Sequence, residues 1–276
     1  MLSATLADGV VQVKGTTAAD VIKVSKSGST LTVKIGTTET TFAAGAVDSI
    51  RIRGLDGNDS ISVGGVLKIP LVVYGGGGND TIFGSRGADK LIGGAGDDSI
   101  HGDRAEDTLG GGEGNDKLFG EAAADVIKGG NGNDSMIGGN ANDNLSGAAG
   151  NDTINGGDGE DSIEGGAGND LMRGNGGRDS LRGGSELDTI FGDGDNDLLF
   201  GGDGNDSLDG GADDDVLDGG EGNDTLFDHA GADVLRGQAG DDSLDSSDGV
   251  RGDALNGGSG TNTVTKDALD FESTTV

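Results

Sequence analysis

Aspartate recurs every ninth residue, without a miss, from Asp80 to Asp242. The register holds 19 positions: Asp80, Asp89, Asp98, Asp107, Asp116, Asp125, Asp134, Asp143, Asp152, Asp161, Asp170, Asp179, Asp188, Asp197, Asp206, Asp215, Asp224, Asp233 and Asp242. Two residues after each stands Ile, Leu or Met, from Ile82 and Leu91 to Leu235 and Leu244. Five residues before each stands Gly, except where Asp228 takes the place. A nine-residue period fits neither a helical face nor a coiled coil. Fixed self-similarity over so long a stretch specifies a solenoid. The Gly pairs supply tight turns with positive φ. The residues after each Asp read polar–aliphatic–polar, a short strand with its middle side chain inward. One unit cannot bury its Ile or Leu; stacked copies can. Two units, turn–strand–turn–strand, close a coil of 18 residues, and the expected fold is an all-β solenoid.

The units alternate in quality, which supports the two-unit coil. One series is rich in Gly, as in Gly111-Gly112-Glu113-Gly114-Asn115-Asp116 and Gly129-Gly130-Asn131-Gly132-Asn133-Asp134. The intervening series is looser, as in Gly102-Asp103-Arg104-Ala105-Glu106-Asp107. These are read as the two edges of one flattened roll.

Stacking sets each Asp above the Asp 18 residues away, about one strand spacing apart. The chain carries 50 acids against 18 bases, net −32. Ladders of close carboxylates repel at neutral pH, so a cation belongs between them. Gly-rich turns expose carbonyls, and hard cations take carboxylate and carbonyl oxygens. Calcium accepts them in flexible geometry, whereas magnesium wants a stricter octahedron and keeps its waters. Zinc wants His or Cys, but Cys is absent and His101 and His229 are the only histidines. Calcium is the expected ligand. Asp residues that merely cap turns would leave the repulsion unanswered.

Over residues 75–245 the unit resembles the G-G-x-G-x-D-x-U-x repeat of the RTX (repeats-in-toxin, haemolysin-type) calcium-binding proteins. The resemblance implies a right-handed parallel β-roll, a β-helix-like solenoid with two nine-residue repeats per coil. It also implies calcium between successive turns on each edge. Each ion would take Asp oxygens from two turns 18 residues apart, plus backbone carbonyls of the Gly-rich loops. Carried onto this chain, one site uses Asp80 and Asp98 with the carbonyls of Gly76, Gly78, Gly93 and Ala95. Glu186, Asp195 and Asp213 depart from Gly at the fourth position of the unit and put their own sites in doubt. Filling every gap on both edges would take about 17 calcium ions, whose charge nearly cancels that of the chain.

Burial of the inward aliphatics falls short of the cost of ordering so Gly-rich a backbone. High net charge with low hydrophobicity is also a signature of disorder. A disordered or expanded metal-free chain that folds on binding calcium is therefore expected.

Three segments are expected: a cap over 1–74, the calcium-binding roll over 75–245, and a C-terminal cap and tail over 246–276. The first is rich in Thr, Val and Ile, with strands expected over 10–14, 21–25, 31–35, 49–53 and 71–74. It is read as wider β-helical coils sealing the solenoid, with a separate Ig-like domain as the alternative. Degenerate turns around Asp20 and Asp59 sit in it, and Asp59 is a further candidate calcium ligand. After Asp242 the register slips by two, and Asp253 and Asn262 resume the nine-residue step. Residues 266–276 read as an exit strand or tail. RTX proteins commonly leave the cell by type I secretion through an uncleaved C-terminal signal, and 268–276 is read either as such a signal or as an ordinary cap.

No enzyme motif is present. The two histidines form no H-E-x-x-H helix, and there is neither a G-x-S-x-G elbow nor a Gly-Lys P-loop dipeptide. The EF-hand-like start at Asp193-Gly194-Asp195 meets Leu198 where Gly is needed. The acidic surface argues against nucleic acid, and no stretch is long and apolar enough to be a membrane-spanning helix. Residues 1–13 lack the basic start and apolar run of a secretory signal. Extracellular modules typically bind calcium at the high concentrations found outside cells, which supports an extracellular or cell-surface location. Five of the seven Phe occupy the last position of a unit, and Phe83, Phe119, Ile137, Phe191 and Phe227 share one face. That face is read either as scattered apolar residues or as a stripe for self-association. The expected function is a non-catalytic, calcium-folded scaffold, self-assembling into a surface layer or fibre in one form of the reading. The alternative is an accessory domain that aids secretion and folding of a secreted enzyme or toxin.

Overall fold

The structure, a computed structural model, describes residues 2–64, 67–247, 249, 252–266 and 270–272. The chain divides into two compact units, Met1–Gly139 and Asn140–Val276. Each is a parallel β-solenoid built from two sheets. Among the described residues the only helical segment is one 3-10 turn, Ala44–Ala46.

The first unit opens with β1 (Ser3–Ala7), β2 (Val10–Lys14), β3 (Val21–Ser27), β4 (Thr30–Ile35) and β5 (Thr38–Ala43). Then come β6 (Ser49–Asp56), β7 (Ser60–Val63), β8 (Leu71–Gly77) and β9 (Thr81–Phe83). One sheet runs β1-β2-β6-β8 and continues through Lys90–Ala95, Thr108–Glu113 and Val126–Asn131. The other runs β5-β4-β3-β7-β9 and continues through Ser99–Arg104 and Lys117–Ala122. Of the strands expected in the first segment, β2 has the expected bounds and β3, β4, β6 and β8 run longer; β1, β5 and β7 lie outside the expected set. The described strands of this segment join the same two sheets as the repeats.

The expected wider coils are only part of the end of the solenoid. Its parallel ladders finish in antiparallel strands, with β1 on β2 and the meander β3-β4-β5. The physical reason lies in Asp8-Gly9, Ser27-Gly28-Ser29 and Ile35-Gly36-Thr37, where Gly at positive φ closes tight hairpins.

In the second unit one sheet stacks from Asn144–Ala149 by steps of one coil to Val234–Ala239, then Ala254–Asn256 and Phe271–Glu272. The other stacks from Thr153–Asp158 to Ser243–Asp245 and Thr263–Thr265. Partners within the repeats are 18 residues apart, as in Leu91↔Leu109 and Ile163↔Leu181. Beyond Asp242 the step widens to 20, as in Leu235↔Leu255 and Leu244↔Val264, as the slipped register requires. Leu255 is buried and Val264 half-buried. Residues 268, 269 and 273–276 of the candidate secretion signal lie outside the described residues.

Every inward Ile, Leu and Met from Ile82 to Leu244 is buried. Most repeat strands are six residues long, not three: Lys90–Ala95 runs on through Gly93 and Gly94, with Leu91 and Gly93 as its two buried positions. The ladder continues through the Gly pair because Gly94↔Gly112 still pair. Gly93 faces inward without a side chain, and that opening belongs to the neighbouring Asp.

Candidate metal centres

All 19 ladder aspartates are buried, as are Asp59 and Asp253. Each strand places its Asp just before the polar–aliphatic–polar triplet, so Asp and aliphatic residue both point inward while the residue between them faces out. One carboxylate oxygen has a fixed partner. The backbone N–H of a ladder Asp donates to Oδ1 of the Asp one coil later, as from Asp80 to Asp98 at 2.7 Å, Asp98 to Asp116 at 2.8 Å and Asp107 to Asp125 at 2.7 Å. In the second unit Asp161 to Asp179, Asp188 to Asp206 and Asp197 to Asp215 repeat the contact at 2.7, 2.9 and 2.7 Å. Asp59 belongs to the same ladder, its N–H donating to Asp80 Oδ1 at 2.7 Å.

The second oxygen is different. Oδ2 of Asp59, Asp80, Asp98, Asp107 and Asp116 is buried without a hydrogen-bond partner. So is Oδ2 of Asp161, Asp170, Asp179, Asp188, Asp197, Asp206, Asp215, Asp224 and Asp242 in the second unit. Native proteins rarely leave a buried carboxylate oxygen so. This oxygen points at the Gly five residues earlier: a Cβ added to Gly75 would land on Asp80 Oδ2 and 2.7 Å from the carbonyl oxygen of Gly93. Gly111 repeats the cradle, with Asp116 Oδ2 and the Gly129 carbonyl 2.7 Å away, and Gly165 with Asp170 Oδ2 and the Gly183 carbonyl 2.8 Å away. A carboxylate oxygen and a carbonyl oxygen converging on a space without a side chain form the donor set of a hard cation.

Without a cation these carboxylates resist ionisation. Burial pushes Asp98 up to about 7 and Asp107 up to about 8, and neighbouring carboxylates one coil away add to the rise. Asp179 and Asp188 rise to about 7 and Asp197 to about 8 for the same first reason. The backbone N–H on Oδ1 opposes the shift in each case without cancelling it.

The expected ligands are not all placed alike. Asp89 departs: its Oδ2 accepts the Ser85 N–H at 2.6 Å, and its Oδ1 accepts the Ser85 hydroxyl at 3.1 Å and the Leu71 N–H at 2.7 Å. Ser85 stands where the richer units have the second Gly, and its N–H and hydroxyl take up the carboxylate that a cation would otherwise need. Asp20 is held similarly by Thr16, at 2.6 Å from its N–H and 3.0 Å from its hydroxyl. Of the four candidate carbonyls, that of Gly93 faces the same open position at Gly75 as Asp80 Oδ2. Those of Gly76 and Gly78 face Gly94 and Gly96 of the next coil, and that of Ala95 accepts the Gly78 N–H at 2.7 Å. The fourth-position residues Glu186, Asp195 and Asp213 sit at φ 77°, 70° and 75°, in place of Gly.

A second ladder was missed. Where the residue before a ladder Asp is Asn or Asp, its Oδ1 turns the other way and accepts the N–H one coil later in the pairs that follow. Asn79 accepts from Asp97 at 3.1 Å, Asp97 from Asn115 at 2.8 Å, and Asn205 from Asn223 at 2.7 Å. The signal was the recurring Asn-Asp dipeptide. Each such pair joins its coil to the coils on both sides.

The RTX calcium-binding nonapeptide repeat (four copies) matches over residues 74–109, 110–145, 137–172, 173–208, 191–226, 218–250 and 229–264. No curated protein matches the chain. The matched repeats cover most of the sequence, and the strands and buried Asp ladders follow the same period: the chain belongs to the RTX calcium-binding nonapeptide repeat family.

Proposed function

We propose that this protein is a non-catalytic extracellular scaffold whose solenoid is folded by calcium held along the two Asp ladders. The observation that carries the reading is the buried, unpartnered Oδ2 of ladder residues such as Asp98 and Asp116, aimed at the Gly cradle. Calcium supplies charge neutralisation and coordination where the fold supplies no donor. The ligands are the ladder Asp residues, Asp59 and the first-position carbonyls such as that of Gly93. The Asp89 carboxylate, already held by Ser85, contributes less, so full occupancy falls below the 17 or so expected from counting gaps. RTX repeat proteins are typically secreted and bind calcium outside the cell, which supports the extracellular assignment. The segments 1–74 and 246–276 act as end caps of the calcium-binding stretch. No helix among the described residues is long and apolar enough to cross a membrane.

Self-association belongs to the same reading. Phe83, His101 and Phe119 stack on one outer face, with ring centroids 4.7 and 4.5 Å apart. Such a preordered aromatic surface suits a partner copy. Calcium titration followed by circular dichroism and sedimentation velocity tests both parts. Cooperative gain of β structure with calcium is expected. A full β spectrum in EGTA rejects folding by calcium. Unchanged sedimentation of a calcium-dependent assembly after Phe119→Ser and Phe191→Ser rejects the aromatic face as the contact.

A further inference from the structure

Asp228 stands where every other unit of the ladder has its first Gly. It is 2% exposed and the backbone N–H groups of His229 and Ala230 approach its carboxylate, while Oδ2 of Asp215 beside it is buried without a hydrogen-bond partner. Its side chain points into the ladder. A Cβ on Gly192 would meet Asp197 Oδ2 and the carbonyl oxygen of Gly210. A Cβ on Gly210 would instead meet Oδ2 of Asp228, with Oδ2 of Asp215 at 2.7 Å. The Asp228 carboxylate therefore occupies the place of a neutral carbonyl. One oxygen each from Asp215, Asp228 and Asp233 lies within 4.8 Å of the others. Two oxygens on opposite sides of one calcium ion are about 4.6–5.2 Å apart at ordinary coordination distances. One ion can thus touch all three. The strand Thr225–Phe227 ends one residue before Asp228.

We propose that Asp215, Asp228 and Asp233 form a three-carboxylate calcium site distinct from the repeat sites, and that it holds its ion the longest. The inference rests on calcium occupying the ladders. A third carboxylate adds a full charge at contact distance in a buried setting, where attraction to a divalent ion is strong. The repeat sites have a carbonyl dipole at that position. The site is a tight anchor within an array of ordinary sites, near the C-terminal end of the repeats.

The test is exchange of radiocalcium out of the fully loaded full-length chain into excess unlabelled calcium, which keeps the protein folded throughout. Wild type is expected to show one ion per chain leaving on the order of tenfold more slowly than the rest. Asp228→Gly restores the residue of the other units and should fold; Asp228→Asn keeps the shape without the charge. Both are expected to lose the slow ion and keep the fast ones. Absence of a slow ion in wild type, or its survival in either variant, overturns the site while leaving the ladder reading intact. Wild type that retains no radiocalcium overturns both.

Discussion

The backbone N–H of Asp98 donates to Oδ1 of Asp116 at 2.8 Å, while Oδ2 of Asp116 is buried with no hydrogen-bond partner. One side chain thus does two jobs, and Asp116→Asn separates them. Asn keeps the acceptor oxygen, as Asn262 does naturally for the Asp242 N–H at 2.8 Å, but removes the charge. The calcium midpoint for folding is expected to rise by roughly threefold to tenfold, since one ligand of many loses its charge. Residual structure in EGTA should not fall, because a buried charge has gone. An unchanged calcium midpoint would make Asp116 a turn cap and nothing more.

Gly111 and Gly112 are adjacent but have different tasks. Gly111 does not need positive φ, yet its Cβ would land on Asp116 Oδ2 beside the Gly129 carbonyl. Gly112 has φ 124°, and its Cβ would strike the Gly94 carbonyl. Gly111→Ala is expected to remove bound calcium, about one ion per chain by equilibrium dialysis, at modest backbone cost. Gly112→Ala is expected to destabilise the calcium-loaded fold by about 2 kcal/mol or more through strain and clash. Equal calcium stoichiometry in Gly111→Ala and wild type would remove the cradle as a binding site.

The period carried most of this into view. Asp every ninth residue with an aliphatic residue two positions on is enough to place Leu91 inward and Leu109 beside it, because a stacked strand allows no other register. The sequence could not show which carboxylates would remain unpartnered. Asp89 and Asp98 are alike in the pattern, and only the fold brings the Ser85 hydroxyl onto the first. The strand β4 is expected from its alternation, but its antiparallel pairing with β5 is not, because that alternation matches a solenoid strand and only hairpin geometry separates the two. Asp228 was visible as the one missing Gly, but its aim toward Asp215 depends on where the chain turns after Phe227.

Ala105 takes the place of Gly at φ 134°, a region that costs a residue with a Cβ about 1–3 kcal/mol. Ala105→Gly should therefore stabilise the calcium-loaded protein by about 1 kcal/mol after the added chain entropy of Gly is subtracted. The midpoint of calcium-loaded thermal unfolding should rise by a few degrees. A lower midpoint would mean that Ala105 contributes packing that outweighs its strain.

Acid should partly replace calcium. In the metal-free fold, burial raises Asp98, Asp179 and Asp188 to about 7 and Asp107 and Asp197 to about 8. In the unfolded chain these groups titrate near 3.8. Between those values the folded state binds more protons than the unfolded one, so its stability falls as pH rises. The contribution is full below pH 4 or so and is lost as pH climbs through 7 to 8. Far-UV circular dichroism in EGTA is expected to show more β structure at about pH 5 than at about pH 8. Calcium reverses the sign, because bound ions hold the carboxylates ionised and acid must displace them. Loading near pH 6.5 should therefore release protons, seen as a binding heat that varies with the ionisation enthalpy of the buffer. An EGTA spectrum independent of pH, together with a binding heat independent of buffer, would show that the buried carboxylates do not link folding to protons.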